Sequence, residues 1–379
     1  MVRRFDVAVL GAGVAGSSLA KSLADRGWET VLIDRKHFPR HKVCGEFLSP
    51  ESRTMLKTFG LQEAVESINP SLIERSRLIL SKGAELEVPL PGIAFGVSRY
   101  SLDSALHGSA IGSGVQMLPA TTVTNVYPDH GGYTIEAKQG EERKDLRVRA
   151  VIAAWGANGH PVLSRHRPNP DRTYIGVKSH FRGLEMEPVV ELYFFDGGYL
   201  GISPIEGGLF NVAALLRRKA FRNAEKTIEG LLDAACGRNP RLYRKLAHAV
   251  PVQGTQAAVA PVDLTRKPVT WSSIPHVGDA AVMIPPLCGD GMSMALRSAL
   301  LCAPLADRYL TGRLSLHDWQ REYSKSVRRE WKGPLAWGRL VQRLFDFPVL
   351  PRLFLGAARW APGLANGLVN ATRLKEADL

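Results

Sequence analysis

The chain has little cysteine: four residues in 379, Cys44, Cys236, Cys288 and Cys302. They are scattered and form no Cys-x-x-Cys pair. That excludes a disulfide-stapled fold and a zinc ribbon, and points to a reducing, cytoplasmic compartment. No apolar run reaches the roughly 18 residues a spanning helix needs. No internal repeat and no low-complexity tract is present, which excludes solenoids and propellers. Acidic residues are in deficit, 36 Asp and Glu against 49 Lys and Arg, a formal net charge of +13. With 45% hydrophobic and 22% charged residues the chain is not disordered. Its length suits two domains, or one large interrupted one. The basic excess calls for anionic partners, whether nucleic acid, an acidic membrane or a phosphorylated ligand. No Arg-Gly-Gly run, zinc knuckle or RNA-binding signature accompanies it, so no nucleic-acid partner is expected. Arg3-Arg4 before Val7–Leu10 imitates a secretion signal, but Asp6 interrupts the apolar region.

The strongest signal lies at the N-terminus. Phe5–Leu10 reads as a buried parallel strand running into Gly11-Ala12-Gly13-Val14-Ala15-Gly16, a G-x-G-x-x-G. A helix follows, with Leu19, Ala20 and Leu23 on one face and Gly27 as its stop. A second strand, Glu29–Ile33, ends in Asp34, 23 residues after Gly11. Gly11 permits the tight turn, Gly13 lets the backbone approach a pyrophosphate, and Gly16 lets helix and sheet pack closely. The helix N-terminus then offers N–H groups, including those of Val14 and Ala15, and a positive dipole to the phosphates. Asp34 can accept from ribose hydroxyls, which favours FAD or NAD over NADP. The basic loop after it, with Arg35, Lys36, Arg40 and Lys42, stands where a dianionic cofactor would pass.

Two later segments choose between dinucleotides: Ile274-Pro-His-Val-Gly-Asp279-Ala-Ala281, and Pro285-Pro-Leu-Cys-Gly-Asp-Gly-Met292 leading into a helix through Ala306. With the first fifty residues, these make the chain resemble the FAD-dependent aromatic hydroxylase and geranylgeranyl reductase superfamily over roughly residues 5–310. The resemblance implies an α/β fold. Its core is a Rossmann-type FAD-binding domain of the glutathione reductase kind. An antiparallel β-sheet substrate domain is inserted in it, and a helical C-terminal tail follows. The FAD-binding parts are expected at 1–75, 99–165 and 266–310, the substrate-domain strands at 76–98 and 166–265, and the tail at 311–379. Carried over by position, Gly11, Gly13 and Gly16 hold the pyrophosphate and Asp34 the ribose. Arg99 stands near the pyrophosphate and ribityl side, and Gly278-Asp279 meets the ribityl chain. Gly289, Gly291 and Met292 present N–H groups to the pyrimidine edge of the flavin, where a helix N-terminus stabilises the negative charge of the reduced ring. Val123, Gly156 and Pro286 complete the cofactor contacts.

The hydroxylases' Asp-Gly element is missing from Val151–Gly159, so the electron source is left open between NADPH or NADH and a separate flavin reductase. Ile175–His180, Val189–Phe195, Tyr199–Ile202 and Leu209–Leu216 read as strands covering the flavin, and 222–247 as helical, with Asn239-Pro240 breaking or capping it. The reading places a monooxygenase acting on an apolar or phenolic molecule first and an isoprenoid double-bond reductase second. The latter rests on Val43-Cys44-Gly45 and on Tyr199-x-Gly-x-x-Pro204, an imperfect copy of Tyr-x-Trp-x-Phe-Pro. Halogenation is distant, since Trp-x-Trp-x-Ile-Pro is lacking. A non-enzymatic basic membrane- or RNA-binding protein is the rival from another class. Cys44 is the candidate proton donor and Glu46 the candidate to orient a substrate hydroxyl, against a packed thiol and a solvated carboxylate. His37, His41, His276 and Cys288 are candidates by proximity alone. His160, His166 and His180 show no metal spacing.

The tail holds twelve Lys and Arg against six Asp and Glu, and four of seven tryptophans. Trp337, Leu340, Val341, Leu344 and Phe345 recur at helical spacing before Pro348 and Pro351. Phe354, Leu355, Trp360, Leu364, Leu368 and Val369 continue the apolar theme. Two readings follow: peripheral contact with an anionic membrane, or helices packed over the other domains.

Overall fold

The computed structural model describes residues 3–82, 84–160, 169–170 and 173–346, with side chains through 343. The strands are β1 (Arg3–Leu10), β2 (Thr30–Ile33), β3 (Phe47–Leu48), β4 (Ser71–Leu80), β5 (Glu85–Gly96), β6 (Gln116–Leu118), β7 (Thr121–Asp129), β8 (Gly132–Gln139), β9 (Glu142–Ala153), β10 (Tyr174–Arg182), β11 (Val189–Phe195), β12 (Gly198–Ile205), β13 (Leu209–Arg217), β14 (Val250–Pro251) and β15 (Ala257–Val262). The helices are α1 (Val14–Ala24), α2 (Ser52–Thr58), α3 (Gln62–Glu66), α4 (Arg99–Gly112), α5 (Ile228–Cys236), α6 (Pro240–Leu246), α7 (Gly291–Leu310) and α8 (Leu316–Asp346).

The continuous apolar runs of β1 and β2 are buried on both faces, as parallel strands require. They form the centre of a six-stranded sheet ordered β6-β2-β1-β9-β8-β7, parallel from β6 to β9 and antiparallel beyond. Val7, Val9 and Leu32 point into a core shared with α1, α4, α7 and α8. Ala8, Leu10, Val31 and Ile33 point the other way, against residues of β7, β8 and β9. Gly27 takes a left-handed φ of 86° just past α1, the stop expected of it.

The second sheet runs β14-β10-β13-β12-β11-β4-β5-β3, with β15 also on β10. Here side chains alternate. Ile79, Val177, Tyr193, Leu200 and Val212 face outward into a core closed by α5 and α6. Leu80, Phe194, Tyr199, Leu215 and Val259 face inward, toward Met283 and Leu287 of the first domain. The strand register puts Leu192 beside Gly201, Gly201 beside Ala213 and Ala213 beside Lys178 on that inner face. Two of those four side chains are minimal, which leaves a hollow.

The helical expectation for 222–247 is corrected at its start, since α5 begins only at Ile228. Asn239 caps α6: its Oδ1 accepts from the N–H of Arg241 and Leu242 at 3.0 and 3.3 Å, and its Nδ2 donates to the Phe194 carbonyl at 3.1 Å. The tail opens as one helix, α8, with Pro334 inside it. Trp319, Tyr323, Val327, Trp331 and Leu335 are buried in the main core, while Trp337 and Leu340 are exposed. The packed reading of the tail holds for the stretch from Trp319 to Leu335. The expectations for Leu344, Phe345, the positions beyond 346 and His166 lie outside the described residues. Among the described residues no helix is long and apolar enough to cross a membrane.

Candidate active site

A cavity of about 340 Å³ opens between the two sheets. The first domain contributes Gly13, Val14 and Ala15 from the glycine loop, Arg99, Gly156, Gly278, Asp279, Pro286, Gly289, Gly291 and Met292. The loop after β2 contributes Lys42 to Phe47, and the second sheet contributes Leu78, Gly176, Leu192, Tyr199, Gly201 and Leu215. Eleven of the seventeen residues read as cofactor-binding, with Cys44 and Glu46, thus meet around one space. Their separation in sequence, from residue 13 to residue 292, is closed by α1 packing on α7 and by β9 pairing with β1.

The three fingerprint glycines are required for different reasons. A Cβ on Gly11 would stand 2.4 Å from the Ala154 carbonyl, and its φ is 116°. A Cβ on Gly16 would stand 1.9 Å from the Gly11 carbonyl. On Gly13 it would meet nothing nearer than Arg99 Nη2 at 3.7 Å. The protein alone therefore does not need glycine at 13, and the room it leaves faces the cavity. Neither α1, with Gly13 at its N-cap, nor α7, with Asp290, has a side-chain cap. Two helix N-termini thus turn unsatisfied N–H groups toward the same space.

Gly11 and Gly16 shape the loop from behind. Asp34 lies outside the cavity at the tip of β2. Its Oδ2 accepts from the Ala12 N–H at 2.8 Å and its Oδ1 from the Lys36 N–H at 2.9 Å. A carboxylate retains lone pairs for a ribose beside these. Val123 and Arg35 also stand apart from the cavity. The Val123 side chain is buried in the core beneath β7, its backbone is bonded to His160, and His160 feels Arg35. The Thr121 N–H reaches the Asp34 carbonyl at 2.8 Å. Asp34, Arg35 and Val123 therefore gather at a second place, where an extended dinucleotide would set its adenosine. Arg40, expected on the cofactor path, does not line the cavity. It lies over the Phe38 ring at 5.2 Å, within the field of Asp34, Arg99 and Asp103. The residues present fit FAD: the uncapped α1 N-terminus would hold a pyrophosphate, Asp34 and Asp279 would accept from hydroxyls, and the α7 N-terminus would face the ring.

The charges are ordered. Arg99 donates from Nε and Nη2 to the two oxygens of Asp103 at 2.9 and 2.8 Å, a buried bidentate pair. Burial alone would lower the guanidinium's pKa; Asp103 and Cys44 more than reverse this. Burial raises the carboxyl of Asp279, opposed by Lys42, Arg99 and Arg266. Lys42 is lowered first by Arg99 and then by burial.

Glu46 is not the solvated carboxylate its sequence context offered. It is fully buried, with a left-handed φ of 54°. Its Oε1 accepts from the Arg99 N–H at 3.0 Å and from Lys178 Nζ at 2.8 Å, and its Oε2 lies 2.7 Å from His180 Nε2. Both oxygens are bonded to protein, so the solvated-carboxylate alternative is corrected, and an orienting role toward a substrate hydroxyl would rest on the one lone pair that remains. Burial pushes the carboxyl up, but His180 and Lys178 together hold it below the usual range. Cys44 is half-buried in the cavity wall, its carbonyl accepting from Asn211 Nδ2 at 3.0 Å. His276 is structural: buried, bridging to Ala153, and pushed down to about 4 by burial and Arg266. Sequence reasoning missed Lys178, His180 and Arg266. The one available signal was that Lys178 and His180 alternate along a strand, hence share a face; nothing told that the face is inward. Among the described residues no cluster of His, Cys, Asp and Glu could hold a metal.

Comparison with known proteins agrees with this geometry. Residues 4–176 match the FAD binding domain family. The menaquinone reductase of Mycolicibacterium smegmatis is 28% identical over 328 residues, covering 80% of this chain and 77% of that protein. Digeranylgeranylglycerophospholipid reductase 2 of Methanopyrus kandleri is 27% identical over 341 residues, covering 86% and 82%. A geranylgeranyl bacteriochlorophyll reductase-like protein from Thermoplasma acidophilum superposes with a TM-score of 0.76 at 20% identity, over 93% of this chain and 91% of that one. The flavin-dependent brominase Bmp2 gives 0.79 at 19%, over 97% and 93%. These two show that the fold is shared across chemistries. Residues 4–176 thus carry an FAD binding domain, and the whole chain has the fold of FAD-dependent oxidoreductases.

Proposed function

We propose that the protein reduces a carbon–carbon double bond of an isoprenoid chain. The observation that carries this reading is the inner face of the second sheet. Leu78, Leu192, Leu215, Val259 and Val262, thinned by Gly176, Gly201 and Ala213, make an apolar slot leading to the thiol of Cys44. A polyprenyl chain offers only dispersion and burial, which such a slot supplies at about 25 cal/mol per Å². Bound FAD would supply two electrons as hydride. Arg99, Lys42 and the α7 N-terminus would hold the cofactor's anionic parts, and Cys44 would give the proton. That the curated relatives are named as reductases of menaquinone and of a digeranylgeranyl lipid supports the same reading. Hydroxylation, placed first on sequence alone, requires a polar anchor for a phenol. Of the two carboxylates in the cavity wall, Glu46 already accepts three contacts from protein and Asp279 faces the cations Lys42 and Arg99.

The slot also borders the tail helix. Val341 lines it, and Trp337 and Leu340 are exposed on the same segment beside exposed Lys332 and Arg343. An anionic lipid surface meeting this segment would bring an apolar substrate to the slot. The electrons are read as coming from NADPH or NADH, directly or through a separate reductase. The test is product mass after incubation of holoprotein and reductant with prenyl quinones and prenyl lipids, under nitrogen and under air. A gain of two hydrogens in the prenyl chain, located by fragmentation and distinct from quinol formation, is expected in both atmospheres. A gain of one oxygen atom, only in air, would overturn the reading.

A further inference from the structure

The start of α4 is held by acceptors from outside the helix. The Glu46 carbonyl accepts from the Val97 N–H at 3.0 Å, and Glu46 Oε1 from the Arg99 N–H at 3.0 Å. Between them, Glu206 Oε2 accepts from the Ser98 N–H at 2.8 Å, and its Oε1 from the Ser98 hydroxyl. Ser98 Oγ in turn accepts from the Ser101 N–H at 3.1 Å, as the helix cap. A helix start needs one such side-chain cap, and water serves the other N–H groups. Here two carboxylates, 160 positions apart in the chain, close on three successive N–H groups.

Both carboxylates are anchored to the second sheet. Glu206 belongs to the turn between β12 and β13. That turn is seated closely: a Cβ on Gly96 would stand 1.8 Å from the Pro204 carbonyl, and the Ser71 hydroxyl donates to the Ile205 carbonyl at 2.7 Å. Glu46 belongs to the buried cluster behind Cys44, tied to β10 by Lys178 and His180. The same helix meets the glycine loop. Arg99, Asp103 and His107 follow one another at four-residue spacing on one buried face of α4. His107 Nε2 donates to the Ala12 carbonyl at 2.8 Å, and the Ala12 N–H donates to Asp34. Arg99 Nη2 stands 3.7 Å from the Cβ position of Gly13, in the room that this glycine leaves. Helix α4 therefore spans from the second sheet to the glycine loop.

The geometry points to Glu206 as a positioning residue for the cofactor: with Glu46 it pins the start of α4 to the second sheet, and so sets the Arg99 guanidinium beside Gly13, where the pyrophosphate of FAD would lie. The pair with Asp103 fixes how the guanidinium is turned, because both residues ride on α4. It does not fix where the helix starts, and the clamp at 97–99 does. Glu206 does not line the cavity, so it acts through Arg99. The sign of its effect separates this role from plain electrostatics. A carboxylate repels a dianionic pyrophosphate, so removing it would tighten FAD by charge alone. Removing a clamp loosens FAD. The inference concerns cofactor binding and goes beyond the reductase reading.

The test is titration of FAD into flavin-free full-length protein, read by flavin fluorescence. Glu206→Ala is expected to weaken FAD about 10-fold, the size of one displaced hydrogen bond to a charged group. Glu206→Gln keeps an acceptor for the Ser98 N–H and is expected to weaken FAD about 3-fold; it carries the test should the alanine variant fail to accumulate. A double-mutant cycle then asks whether the loss passes through Arg99. Arg99→Met/Asp103→Leu removes the guanidinium together with its partner, so no buried charge is orphaned. In that background Glu206→Ala should change FAD affinity less than about 2-fold, whereas a merely structural role would cost as much as in wild type. Unchanged or tighter FAD binding in the Glu206 variants, or an undiminished further loss in the Arg99→Met/Asp103→Leu background, overturns the inference. Binding is read without turnover, so a wild type that reduces no prenyl substrate would overturn the reductase reading and leave this result standing.

Discussion

Replacing Glu46 by alanine tests whether the cluster behind Cys44 is held by charge. The substitution keeps the same backbone problem, since alanine at φ 54° is strained as glutamate is. It removes the acceptor of the Arg99 N–H at the start of α4, of Lys178 and of His180. What is left is an ammonium with no accessible surface and no anion beside it. Breaking a buried pair from one side costs about 3–5 kcal/mol, mostly as the orphaned charge. For 379 residues unfolding together, at about 2 cal/mol/K per residue, each kcal/mol moves Tm by roughly 1.3 °C, so Glu46→Ala should melt about 4–6 °C below wild type. Removing the orphan as well, in Glu46→Ala/Lys178→Met, should recover most of that loss. Glu46 is held below its ordinary pKa, so its stabilisation is complete above about pH 4.5 and is lost as pH falls through the lower folded value. The gap between wild type and Glu46→Ala should therefore narrow in acid. Calorimetry across pH 3 to 8 reads all of this. A double variant as unstable as the sum of the singles would refute the electrostatic argument.

The glycine loop separates structural from ligand demands: Gly11→Ala should destabilise the flavin-free protein, because its Cβ would strike the Ala154 carbonyl, whereas Gly13→Ala should melt near wild type and lose FAD affinity, read by flavin fluorescence titration. Gly201→Trp should fill the slot against Leu192, 3.2 Å from the Cβ position, and raise KM for a prenyl substrate about 10-fold or more while FAD stays bound. Trp337→Ser/Leu340→Ser should reduce flotation with vesicles of one-third phosphatidylglycerol and leave turnover of a detergent-dispersed substrate unchanged.

Much of the first domain is legible in the sequence because its constraints are local. The run from Phe5 to Asp34 states strand, turn, helix, strand and acid in order, and each glycine has a steric reason within its own neighbourhood. Asp279 and Gly291 are legible only through family resemblance, since nothing near them tells that α7 will end beside α1. The charged cluster was the least legible. Lys178 and His180 sit on one face of β10, but which face turns inward is set by α5 and α6 covering the other. Glu46, in a loop among Lys42, Gly45 and Ser49, read as a substrate-orienting or a solvated carboxylate, and the approach of β10 and of the α4 N-terminus buries it. The tail divided in the same way: Trp319 and Trp331 face the core and Trp337 faces out, a distinction of phase along one helix that composition does not carry.

The central claim is that this cavity adds hydrogen, rather than oxygen, to an isoprenoid chain. It is tested most directly by stopped-flow absorbance of pre-reduced holoprotein mixed anaerobically with a prenyl lipid that carries no quinone ring. The account predicts that the flavin is reoxidised without oxygen, in step with a product two mass units heavier, and that Cys44→Ala slows this step about 10²-fold or more. A flavin that stays reduced until oxygen is admitted, and then yields a product sixteen mass units heavier, would contradict it.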